Sequence, residues 1–118
     1  MRKPATASIG LLFVFAVQAQ AHPTLVRSEP AAGRKDKAPA GIALHFSERI
    51  QPVFNRIEVI DAKGAHYEEG KAVVDLSNKS LLRVELKGLP VGSYVVKWRA
   101  SGADSHPVEG SFRFEVGN

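Results

Sequence analysis

Apolar and polar residues alternate one for one through several short stretches of this sequence, and that period decides the class of fold open to it. Ile42, Leu44 and Phe46 alternate with Ala43, His45 and Ser47, and Leu82, Val84 and Leu86 with Leu81, Arg83 and Glu85. Tyr94, Val96 and Trp98 are interleaved with Val95, Lys97 and Arg99; Phe112, Phe114 and Val116 are interleaved with Arg113 and Glu115. Successive side chains of a strand point to opposite faces, so each stretch predicts a strand with one face buried. Ile57 with Val59, and the short Val73-Val74 run, predict two more. Turn signals separate them at Asp61-Ala62-Lys63-Gly64, at Ser77-Asn78-Lys79 and from Gly88 to Gly92. Beyond residue 21 no helical period persists for three turns. The expectation is an all-β domain, an antiparallel β-sandwich of immunoglobulin-like type. Pro23, Pro30 and Pro39 confine strands of the first third to short or edge positions, and Pro30 to Ala40 reads as a polar loop.

The first twenty-one residues follow a different logic. Arg2 and Lys3 precede an apolar run from Ile9 to Val17, interrupted only by Gly10, and Ala19-Gln20-Ala21 supplies an A-x-A cleavage site. This is the pattern of a cleaved secretory signal peptide, residues 1–21, with residues 22–118 as one exported domain. The run is shorter than the roughly 20 apolar residues of a membrane span, so the mature form is expected to be unanchored. Cleavage removes two of the basic residues and halves the formal surplus of +4. No lysine and arginine cluster interleaved with aromatics remains, which argues against a nucleic-acid partner. It also makes His22 the new N-terminus.

The sequence has no cysteine, and its one methionine is Met1. Disulfides, iron–sulfur clusters and thiolate metal sites are therefore excluded, and after cleavage so is a thioether site. Four histidines are present: His22, His45, His66 and His106. In Asp104-Ser105-His106-Pro107, an extended backbone would send residues two apart to the same side. Asp104 and His106 would then offer a carboxylate oxygen and an imidazole nitrogen to one point. An N-terminal His22 adds its α-amine and its ring nitrogen, and Pro23, lacking an N–H, restricts it to amine-plus-imidazole chelation. This sulfur-free set of nitrogen and oxygen donors suits Cu(II), with zinc as the chemical competitor and no home for Cu(I). Such binding should weaken as pH falls through about 8 to 6.5, where free amines and imidazoles take up protons.

The other candidates are weaker. His45 lies opposite the core side of its strand, and His66 follows the Gly64 turn; both are expected at the surface. Trp98 is expected in the core. Glu68 and Glu69 would face opposite ways on a strand, which argues against an acid/base pair. No nucleophile elbow, phosphate loop or zinc-protease motif occurs.

The segments AHPTLVRSEPAAG, GIALHFSERI and GSYVVKWRASGADSHPVEGSFRFEV resemble the CopC family of periplasmic copper-resistance proteins, over essentially all of residues 22–118. The most specific part is a processed start at His22 together with Trp98-Arg99, Ser101, Asp104, His106-Pro107 and Gly110. The resemblance implies a Greek-key β-barrel or sandwich that binds one Cu(II) ion and carries or buffers it in the periplasm without catalysis. It implies His22, Asp104 and His106 as ligands, and Glu48 as a supporting residue that holds the α-amine or a ligand imidazole. It also implies an inner-membrane, CopD-like copper transporter as partner, and the domain is expected to act as a monomer. Many relatives carry a second, methionine-rich Cu(I) site in mid-chain. Val53 to Ala65 contains no methionine, so this chain looks like a subtype with the Cu(II) site only. Two other classes remain open at this stage. One is a copper-dependent oxidative enzyme, because an N-terminal histidine with a second histidine also forms the copper site of polysaccharide monooxygenases. The other is a metal-free immunoglobulin-like interaction module.

Overall fold

Each alternating stretch forms a strand in the computed structural model of the chain, which describes Pro4, Ala5, Ser8, Gly10 and residues 22–118. The expected signal peptide otherwise lies outside the described residues. The strands are β1 (Leu25–Glu29), β2 (Lys35–Asp36), β3 (Gly41–Phe46), β4 (Arg56–Asp61), β5 (Glu68–Val74), β6 (Leu81–Leu86), β7 (Gly92–Ser101) and β8 (Pro107–Val116). No helix among the described residues is long and apolar enough to cross a membrane.

Two four-stranded sheets result, in the orders β1-β3-β6-β5 and β2-β8-β7-β4. All pairings are antiparallel except β2 with β8. Only β5–β6 and β7–β8 are hairpins within a sheet; every other connection passes from one sheet to the other, the Greek-key manner of closing a sandwich. The inner faces are those the two-residue period selects. Leu44, Val59, Leu82, Val96 and Ala100 are fully buried, with Ile42, Val84, Tyr94 and Phe114 nearly so. Trp98 is in the core as expected, its ring edge-to-face with Phe46 at 5.2 Å. Opposite it in the ladder stands Gly110, where any Cβ would overlap the indole ring. Tyr94 stacks on Phe114 and meets Tyr67 edge-on.

Two parts of the sandwich depart from the sequence expectation. The loop from Pro30 to Ala40 contains β2, whose two residues pair with Glu115 and Val116. The Val73-Val74 run is only the end of a longer strand, β5, with a register irregularity between Glu69 and Val73. β1, five mostly exposed residues at a sheet edge, is the short edge strand to which the early prolines confine the chain. All three strands lie at sheet edges, where a strand needs no continuous buried face and so leaves little periodic trace.

Candidate metal centre

The β7–β8 hairpin and the start of the chain's first strand meet at one corner of the sandwich. Ser101 pairs with Pro107, leaving residues 102–106 as the hairpin loop. Pro107 opens β8, a position where its missing N–H breaks no interior ladder bond. The loop is a turn, so the extended backbone that would send residues two apart to the same side does not form. Ser105 N–H donates to the Gly102 carbonyl at 3.0 Å, Ser105 takes the left-handed conformation with φ 65°, and His106 N–H donates to Asp104 Oδ1 at 3.1 Å. An aspartate that accepts from the backbone two residues on is a recurrent way to close such a turn. Asp104 and His106 therefore converge by chain reversal, with His106 Nδ1 3.1 Å from Asp104 Oδ2.

His22 arrives from the other sheet. Pro23 next to it is fully buried, and Thr24 is locked to the end of β3. Thr24 N–H and Thr24 Oγ1 each donate to Ser47 Oγ at 2.9 Å, and Ser47 N–H donates to the Thr24 carbonyl at 2.9 Å. This clamp aims His22 at the hairpin loop. Its Nδ1 lies 3.7 Å from Asp104 Oδ2, and its ring centroid is 5.9 Å from that of His106. One ligand atom from each of His22, Asp104 and His106 lies within 4.8 Å of the others, the three residues ranging from half-buried to exposed. The His106 N–H is the main influence holding the Asp104 carboxyl below its ordinary value. Slight burial opposes it, and the two imidazoles reinforce it. Asp104 is accordingly a carboxylate over the whole neutral range, placed between two imidazoles.

The remaining candidates lie elsewhere. Glu48 is exposed in the bend after β3, and its side chain has no hydrogen bond or ion pair among the described residues. His45 is at the surface of β3, 3.2 Å from Glu29, with the Arg27 guanidinium within 3.5 Å of its ring nitrogens. His66 is exposed, its Nδ1 2.7 Å from Glu68 Oε1. Glu68 and Glu69 do face differently, the first half-buried and the second exposed. Sequence reasoning misses the supports: the Thr24–Ser47 clamp, the burial of Pro23, and Gln51, whose carboxamide reaches the hairpin loop. Bonds between segments so far apart in the chain leave no local pattern, although an uncharged amide beside an expected site could have been flagged.

Fold and site together define a small all-β sandwich domain that gathers two imidazoles and a carboxylate at one exposed corner. Residues 25–117 match the CopC domain, and the chain belongs to the CopC family. It is 36% identical over 104 residues to copper resistance protein C of Pseudomonas syringae pv. tomato, covering 83% of this chain and 82% of that protein. Among solved structures, it is similar to CopC from Methylosinus trichosporium OB3b, with a TM-score of 0.74 and 31% identity, over 80% of this chain and 93% of that one. It is likewise similar to PcoC, a methionine-rich copper resistance protein from Escherichia coli, with a TM-score of 0.73 and 29% identity over 82% and 100%. The present sequence contrasts with that description, having one methionine at position 1.

Proposed function

We propose that this protein is a copper carrier or buffer of copper resistance and homeostasis that binds one Cu(II) ion through His22, Asp104 and His106. The observation that supports this most is the convergence of His22 with Asp104 and His106, far apart in sequence, with one ligand atom of each within 4.8 Å of the others. The names of the relatives, copper resistance protein C and PcoC, supply the metal. The donors supply the oxidation state. Imidazole nitrogen and carboxylate oxygen suit Cu(II), whereas the soft sulfur donors that favour Cu(I) are absent from residues 22–118. Asp104, already ionised, offers negative charge without having to lose a proton on binding.

Export is part of this function. Residues 1–21 act as a cleaved signal peptide, and the periplasm is the working compartment, where Cu(II) is the natural form to bind. Cleavage before His22 adds its α-amine to the ligand set, and Glu48 is assigned to hold that amine or a ligand imidazole. The activity is binding and transfer, without catalysis, by a monomer that exchanges copper with an inner-membrane transporter.

Copper titration of the domain beginning at His22, against the same domain with Ala21 retained, tests this reading. One tight Cu(II) equivalent is expected for the first and a much weaker one for the second. Equal affinity would remove the amine from the ligand set, and no tight equivalent in either would remove the function.

A further inference from the structure

The corner that carries Asp104 and His106 has little packing of its own. The His106 side chain is 74% exposed, and Ser105 sits in a left-handed conformation that residues with a Cβ seldom adopt. Within the loop only the Ser105 N–H to Gly102 bond and the Asp104–His106 contacts hold its shape. The restraint from outside comes from the β3–β4 connection. Gln51 N–H donates to the Ser101 carbonyl at 2.8 Å. Its side-chain Nε2 lies 3.3 Å from the Ala103 carbonyl and 3.2 Å from Ser105 Oγ. A primary amide carries two N–H groups, and here both are directed to the residues on either side of Asp104. The Ala103 carbonyl can only accept, so the nitrogen of the amide is the atom that faces the loop. Gln51 is itself held, since its carbonyl accepts from Asn55 Nδ2.

From this we infer that Gln51 is a positioning residue of the metal site. It touches none of the three ligands, and it holds the Ala103 carbonyl and the Ser105 hydroxyl on either side of Asp104. The backbone bond to Ser101 already secures the β3–β4 connection to the hairpin, so the side chain's additional reach serves the orientation of the loop. The inference rests on the metal-binding reading of this corner. Pre-orientation of ligands by supporting hydrogen bonds raises metal affinity. Without the carboxamide, the loop must be ordered by the ion itself, at the expense of binding.

The test is Cu(II) affinity by competition titration, with the electron paramagnetic resonance spectrum of the bound ion and the melting temperature of the metal-free domain. The proteins are the wild-type domain from His22, Gln51→Glu, Gln51→Ala, Ser105→Ala, Gln51→Ala with Ser105→Ala, and His106→Ala. Gln51→Glu preserves shape and length but cannot donate. A net hydrogen bond corresponds to a few-fold to about tenfold in an equilibrium constant, so both Gln51 variants are expected to bind Cu(II) about tenfold more weakly, with a changed copper spectrum. Ser105→Ala should cost less, and the double variant less than the sum of the two, because they share one bond. A lower melting temperature with wild-type affinity and spectrum would overturn the proposal by making Gln51 merely structural. So would wild-type behaviour in every respect, provided His106→Ala binds Cu(II) far more weakly. If His106→Ala binds as wild type, the metal reading itself fails, and Gln51 has no site to position.

Discussion

At the β4–β5 edge, His66 Nδ1 lies 2.7 Å from Glu68 Oε1, closer than either imidazole of the proposed metal corner lies to Asp104. Yet the second Glu68 oxygen is already engaged, accepting from the Val59 N–H at 2.8 Å. Burial pushes the Glu68 carboxyl upward, but the Val59 N–H, its own N–H and His66 outweigh this and bring it below its ordinary value. That carboxylate takes up the Val59 N–H of β4, next to the isolated bridge from Ile60 to His66, and it has one imidazole beside it. At the corner, Asp104 likewise accepts a backbone N–H, from His106 at 3.1 Å, but it has two imidazoles beside it, brought from opposite sheets by a clamp and a turn. A short histidine–carboxylate distance is thus no measure of a metal site. The number of donors that converge on one point is.

The largest effect that could break this comparison is on copper. His106→Ala and His22→Ala should each lower Cu(II) affinity by more than the roughly 10- to 100-fold typical of losing a supporting residue, while His66→Ala stays within about twofold. Competition against a chelator of known affinity measures this, and a comparable loss in His66→Ala would erase the distinction between the two places. Next comes stability. Glu68→Ala leaves the Val59 N–H without its acceptor and should cost about 1–3 kcal/mol in urea unfolding, with Cu(II) affinity unchanged.

Acid acts on both places and on the turns between strands. Asp104, Glu68, Asp61 and Asp75 all have folded-state pKa values below their ordinary ones. For Asp75 the leading cause is the Ser77 hydroxyl, and for Asp61 the Ala65 N–H. A carboxyl that is more acidic in the folded state binds more protons when unfolded at intermediate pH. Its stabilisation is therefore fully present above the unfolded value, about 4, and is lost as pH falls through the lower folded value. The melting temperature of the metal-free domain should hold from neutral pH to about 4 and then drop, less steeply in Asp75→Asn. A flat profile in the wild type would show that these contacts do not stabilise the fold. The smallest effect is expected at His45, whose partner Glu29 is 64% exposed: His45→Gln should change stability by no more than about 0.5 kcal/mol.

Much of the fold is legible in the sequence because β3, β6, β7 and β8 each bury one clean face, and a two-residue period is visible in the residues themselves. β2 is not, since two edge residues cannot show a period, and the polar first half of β5 offers little for one to act on. At the site, Asp104 and His106 stand out by spacing and His22 by its place after an A-x-A motif. The conformation joining Asp104 to His106 is not fixed by their spacing: Gly102, an aspartate and a positive-φ serine make a turn, and the two side chains converge without an extended backbone. Gln51 and the Thr24–Ser47 clamp escape a reading of the sequence because their bonds cross between segments that only the fold brings together.

The central claim is that the ion is held by two histidines from opposite sheets. Pulsed electron paramagnetic resonance on the Cu(II)-loaded domain counts coordinated imidazoles through their remote nitrogens. Two are expected in the wild type and in His66→Ala, falling to one in either His22→Ala or His106→Ala at copper concentrations high enough to load them. A single imidazole in the wild type, or a count that falls in His66→Ala, would contradict it.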